Sequence, residues 1–131
     1  MSNNTILVIE DNELNMKLVR GLLSLGNYMM IEATDAEIGI RMAHEHRPDL
    51  ILMDIQLPGM DGLEATKIIS KDADLKGTPI IALTSYAMEG DEKKAELAGC
   101  AGYITKPIDT RNFLNIISKF LDNDQKGDGK S

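Results

Sequence analysis

An α/β fold with one parallel sheet, doubly wound so that helices cover both faces, is what this chain predicts. Three observations carry that expectation. Five short apolar runs alternate with five helical patterns, the connections are short, and the runs at 50–53 and 79–83 are apolar without alternation. Continuous apolar strands suit a sheet buried on both faces, and strict strand–helix alternation suits parallel pairing. At 131 residues and 43% hydrophobic content the chain holds one domain with a sizeable core. The residues alone leave two common doubly wound strand orders open.

Taken in order, Thr5-Ile-Leu-Val-Ile9 is a β-branched and aliphatic run that stops at Glu10-Asp11, a buried first strand ending in two acids. Asp11 or Asn12 then caps a helix whose apolar series runs through Leu14, Leu18 and Leu22, with Val19 and Leu23 beside it, to Gly26-Asn27. Tyr28 to Ala33 reads as the second strand. Thr34-Asp35 caps a second helix with Ala36, Ile40 and Ala43 on one face, and Arg47-Pro48 ends it. The third strand, Leu50 to Met53, delivers Asp54 to its C-terminal end and breaks at once into Pro58-Gly-Met-Asp-Gly62. A helix from Leu63 to about Lys71 and a turn at Lys76-Gly77-Thr78-Pro79 lead into the fourth strand, Pro79 to Thr84. Met88 to Leu97 is a helix rich in charge with little to anchor it, expected to be mobile. The small-residue turn Ala98 to Gly102 precedes a fifth strand, Tyr103 to Lys106, ended by Pro107. Asp109-Thr110 caps the last helix, with core face Phe113, Leu114, Ile117, Phe120 and Leu121. The domain is expected over residues 1–122, followed by a disordered polar tail at 123–131.

A formal net charge of −7, with no run of Lys or Arg, argues against nucleic acid and anionic membranes as partners. No apolar run approaches the roughly 20 residues of a membrane helix. A lone cysteine, Cys100, and a start without a signal-peptide pattern give a cytoplasmic expectation.

In a parallel sheet the strand ends Glu10-Asp11, Asp54, Thr84-Ser85 and Lys106 share one edge, where open α/β sheets bind ligands. Two carboxylates about 4 Å apart repel by on the order of 4 kcal/mol at an effective dielectric of 20, so the cluster needs a cation. Oxygen-only donors select a hard ion, and Mg²⁺ fits best because it keeps waters and favours phosphate oxygens. With the cation present, Asp54 can act as a nucleophile toward phosphorus, while Lys106 holds phosphoryl oxygens and Thr84 donates a hydroxyl hydrogen bond.

The pieces Val8-Ile-Glu-Asp-Asn12, Pro48 to Gly62, Leu83-Thr84 and Tyr103-Ile-Thr-Lys-Pro107 together resemble the receiver domains of two-component response regulators, over about Thr5 to Leu121. Within that family the chain looks like the single-domain DivK-type regulators and the receivers of hybrid sensor kinases. The resemblance implies the flavodoxin-like strand order 2-1-3-4-5. It implies Mg²⁺ held by Asp11, Asp54 and the backbone carbonyl of Gln56, with Glu10 acting through water, and Asp54 as phosphoacceptor. Thr84 would be the switch hydroxyl, Lys106 the phosphoryl contact, and Tyr103 the aromatic that follows Thr84. A cis peptide before Pro107 is also implied, against a general prior of about 5%.

The partners implied are a histidine kinase or phosphotransfer protein, docking beside Asn12, Leu14, Asn15, Leu18, Pro107 and Ile108. An output protein of unknown identity would dock on the fourth helix, fifth strand and fifth helix, with the chain a monomer or weak dimer. Its own chemistry would be limited to Mg²⁺-dependent acceptance and hydrolysis of the phosphoryl group. Ser85 stands where the family often has alanine, and Gln56 and Tyr86 flank the site. One alternative is a receiver cut from a hybrid sensor kinase. Another is a small Mg²⁺-dependent phosphotransferase, disfavoured because no second acid follows two residues after Asp54 and there is little room for a cap. A scaffold that kept the fold but lost switching is disfavoured by the full set of acids, threonine and lysine. His44, His46 and Cys100 are assigned no chemistry.

Overall fold

Strand ends and helix faces follow from where the apolar runs stop. The computed structural model describes residues 4–57, 59–84 and 91–130. The elements in order are β1 (Thr5–Ile9), α1 (Glu13–Leu25), β2 (Met29–Ala33), α2 (Ala36–His46), β3 (Leu50–Asp54) and α3 (Gly62–Ser70). A 3₁₀ turn (Ala73–Leu75) follows, then β4 (Ile80–Thr84), α4 (Asp91–Ala98), β5 (Gly102–Thr105) and α5 (Phe113–Lys130). The sheet runs β2-β1-β3-β4-β5 and every pair is parallel. This is the flavodoxin-like order that the resemblance implies.

The strand period of two sorts the sheet's side chains into two cores. Ile6, Val8, Leu50, Leu52, Ile81 and Leu83 pack with α1 and α5. Leu7, Ile9, Ile51, Met53, Ile80 and Ala82 pack with α2, α3 and α4. All residues of β3 and β4 are buried, which explains why their sequences show no alternation.

Caps form where short polar side chains precede the helices. Asn12 accepts from the Asn15 amide at 3.0 Å, Asp35 from Ile38 at 2.8 Å, and Asp61 from Glu64 at 2.9 Å. The α1 face differs from the sequence expectation. Its buried residues are Met16, Val19, Leu22 and Leu23, while Leu14 is 77% and Leu18 38% exposed. At about 100° per residue, Leu14 and Leu18 lie roughly opposite Met16, so the helix carries a second apolar line that the core does not use.

Met88 to Gly90, expected at the start of the fourth helix, lie outside the described residues. From Lys93 onward α4 is held by two small side chains, Ala95 and Ala98, and leaves Leu97 exposed. The last helix begins later than the Asp109-Thr110 cap suggested, because Asp109 closes a turn first: its carbonyl accepts from Asn112 at 3.1 Å and Phe113 at 3.0 Å. The bounds of α5 run past 122 into the stretch expected to be a disordered tail. The expectation there rested on the apolar face ending at Leu121, and a helical backbone does not require that face to continue.

Candidate functional site

Parallel pairing brings the C-terminal ends of β1, β3, β4 and β5 to one edge, and with them Glu10, Asp11, Asp54, Thr84 and Lys106. Burial separates their roles. Glu10 is 1%, Asp54 2% and Thr84 3% exposed, whereas Asp11 faces solvent. Buried carboxylates need partners, and the local backbone supplies two. The Gln56 amide donates to Asp54 Oδ1 at 2.9 Å, and the Asn12 amide donates to Glu10 Oε2 at 3.0 Å. The Lys106 ammonium lies between the two acids, 3.0 Å from Asp54 Oδ2 and 3.1 Å from Glu10 Oε1. Its backbone N–H donates to the Thr84 carbonyl at 2.7 Å, which ties the ends of β4 and β5 together. The Lys106–Pro107 peptide is cis.

Charge balance at this edge is incomplete. Burial first, and then the neighbouring Asp54 carboxylate, push the Glu10 carboxyl from 4.5 up to about 7, against the pull of the Asn12 amide and Lys106. Burial works against the Lys106 ammonium, yet Asp54 and Glu10 outweigh it and hold its pKa above the usual lysine value. Folding thus favours protonated Glu10. The stability from that preference is fully present below pH 4.5 and is lost as pH rises through about 7. In chelator, the thermal midpoint is expected to be a few degrees lower at pH 8 than at pH 6, with Glu10→Gln flattening the difference. Equal slopes for the two proteins would contradict this.

The residues fit a hard divalent cation. One carboxylate oxygen from each of Glu10, Asp11 and Asp54 lies within 4.8 Å of the others. Glu10 Oε1 is buried and makes no hydrogen bond among the described residues, only the charge contact with Lys106. Oxygen donors, a buried acceptor whose one contact is the Lys106 ammonium, and one solvent-facing acid match an ion that keeps part of its water shell.

The structure thus gathers the acids, Thr84 and Lys106 as the sequence suggested. Gln56 is exposed, and Tyr103 on β5 is 36% exposed. Asn12, Leu14, Leu18 and Pro107 face solvent beside the site's α1 side and Asn15 is half-buried, whereas Ile108 is 8% exposed and packs in the core with Phe113 and Ile117. Ser85 and Tyr86 lie outside the described residues. His44 pairs with Asp72 at 3.0 Å, an exposed contact between the end of α2 and the 3₁₀ turn. Sequence reasoning gave no weight to Gly62 beyond ending a turn, yet this buried glycine sits directly against the Asp54 main chain.

A family model described as "Response regulator receiver domain" matches residues 6–118. The chain is 46% identical over 117 residues to the polar-differentiation response regulator DivK of Brucella anthropi, covering 89% of this chain and 95% of that protein. Among solved structures, the receiver domain of a sensor histidine kinase from Pseudomonas aeruginosa is 32% identical with a TM-score of 0.85, over 92% of this chain and 99% of that one. Its crystal structure has a magnesium ion coordinated in the active-site cleft. A CheY-like receiver domain protein from Methanospirillum hungatei is 28% identical with a TM-score of 0.89, over 96% and 99% of the two chains. No helix among the described residues is long and apolar enough to cross a membrane.

Proposed function

The chain belongs to the response regulator receiver domain family, whose function is phosphoryl acceptance on an aspartate, and on that premise we propose that Asp54 is the acceptor. The observation that carries this reading is the placement of Asp54: 2% exposed at the end of β3, held by the Gln56 amide and the Lys106 ammonium inside a group of three acids. Its carboxylate attacks phosphorus, an acyl-phosphate P–O bond forms, and the P–N bond to a donor histidine breaks. Lys106 follows the charge onto the phosphoryl oxygens, and the Thr84 hydroxyl donates to one of them. When bound, a magnesium ion supplies charge neutralisation between the acids and the phosphoryl group; Asp11, Asp54 and the Gln56 carbonyl would hold it, with Glu10 acting through water. Hydrolysis of the acyl phosphate releases inorganic phosphate and returns the chain to its first state.

The partners follow from the same premise. A histidine kinase or phosphotransfer protein docks on α1 and the Pro107 side. The unused apolar line of that helix supports this, because Leu14, Leu18 and also Leu25, at 77%, 38% and 76% exposure, project roughly to one side. Phosphorylation adds charge and acceptors, Thr84 and Lys106 move to satisfy them, and Tyr103 takes up the vacated space. An output protein then reads α4, β5 and α5, in the cytoplasm. Incubation with acetyl phosphate is expected to label the chain in Mg²⁺ and not in chelator. Failure to label in Mg²⁺ would overturn the proposal.

A further inference from the structure

We infer that Gly62 is a positioning residue for the acceptor carboxylate, its bare Cα holding the N-terminus of α3 in direct contact with the main chain that carries Asp54. The inference rests on the reading of Asp54 as acceptor. A Cβ on Gly62 would lie 2.3 Å from the Asp54 carbonyl oxygen, 2.5 Å from Ile55 Cα and 2.9 Å from the Asp54 carbonyl carbon. All three are main-chain atoms, so no side-chain rotation relieves the overlap. Ordinary carbon contacts near 3.5 Å demand a retreat of roughly an ångström.

Both sides of that contact are held. On the helix side, Asp61 caps α3 through the Glu64 amide at 2.9 Å, Thr66 Oγ1 donates to the Gly62 carbonyl at 2.8 Å, and Ala65 and Ile69 are buried. On the strand side, the Ile55 N–H donates to the Leu83 carbonyl at 3.1 Å and Asp54 pairs in register with Leu83. The Gly62 N–H itself donates to the Ile55 carbonyl at 3.3 Å. Neither the sheet nor the helix can yield freely, so displacement falls on the turn after Ile55. That turn starts with Gln56, whose N–H holds Asp54 Oδ1 and whose carbonyl is a proposed cation ligand. A side chain at position 62 would therefore disturb cation binding and acceptor geometry together, without touching either. Loss of such outer support typically costs about 10- to 100-fold in metal affinity.

The test compares Gly62→Ala in the full chain with Ala65→Gly, which weakens the same helix without approaching Asp54. Mg²⁺ affinity is read by calorimetric titration and labelling by acetyl phosphate, with folding checked by circular dichroism. Gly62→Ala is expected to bind Mg²⁺ about 10- to 100-fold more weakly and to label more slowly, while Ala65→Gly stays near wild type. Wild-type Mg²⁺ affinity in folded Gly62→Ala, or an equal loss in Ala65→Gly, would overturn the inference. If Gly62→Ala does not fold in buffer, the same Mg²⁺ titration is run on it refolded in trimethylamine N-oxide, beside wild type in the same osmolyte: affinity about 10- to 100-fold weaker supports the inference and equal affinity overturns it. Absence of labelling in the wild-type protein would sink the reading of Asp54 instead, and the Mg²⁺ comparison would still judge Gly62.

Discussion

Replacing Asp54 by asparagine is expected to cut the rate of labelling by acetyl phosphate at least about a hundredfold. The amide is nearly the same size and can still accept from the Gln56 N–H, which lies 2.9 Å from Asp54 Oδ1 in the native chain. What it lacks is the anionic oxygen that attacks phosphorus and the charge that draws Lys106 and a divalent cation to the edge. Fold should survive, because the variant removes one of two buried carboxylates that face each other across Lys106. Labelling is measured by mass shift of the intact chain, with circular dichroism as the folding control. Undiminished labelling would mean that another acid carries the group.

Replacing Lys106 by methionine should have the second-largest effect, on stability. The apolar stem is kept and the ammonium is lost, which leaves Glu10 and Asp54 buried without their shared cation. Stranding a buried charge costs about 3–5 kcal/mol in closed interiors. The solvent-facing Asp11 side opens this site to water, so about 2 kcal/mol is the reasonable scale, or about 8 °C in the thermal midpoint of metal-free protein. The loss should be larger at pH 8 than at pH 6, because Glu10, pushed up to about 7 by burial and by Asp54, is largely protonated at the lower pH. Mg²⁺ should restore most of it. A variant as stable as wild type at pH 8 in chelator would show that the ammonium does not balance these acids.

The sheet was legible because β3 and β4 are buried end to end, β1 is buried from Ile6 to Ile9, and their apolar runs stop at polar residues. Their shared edge follows from parallel pairing alone, so Asp54, Glu10, Thr84 and Lys106 could be brought together from spacing. Strand order could not, because both doubly wound orders satisfy the same local pattern; the resemblance supplied it. The α1 face misled for a physical reason: Leu14 and Leu18 fit a four-residue spacing as well as Met16, Val19 and Leu23 fit the core, and only packing tells the two lines apart. The 3₁₀ turn Ala73–Leu75 is too short to show periodicity, and its one local sign is Asp72, which accepts from the Asp74 amide at 2.9 Å. The contact of Gly62 with Asp54 has no local signature, since a glycine after a turn reads the same whether or not another strand's main chain occupies the place of its side chain. The double engagement of Lys106, with Glu10 as well as Asp54, likewise depends on distances that sequence spacing does not fix.

The position of the phosphoryl group tests the central claim most directly. After labelling by acetyl phosphate in Mg²⁺, borohydride reduction of the acyl phosphate and peptide mass spectrometry locate the modified carboxyl. The expected result is a single modified acid, Asp54, within the peptide spanning residues 48–62. Modification at Asp11 or Glu10, or labelling that borohydride does not convert, would contradict it.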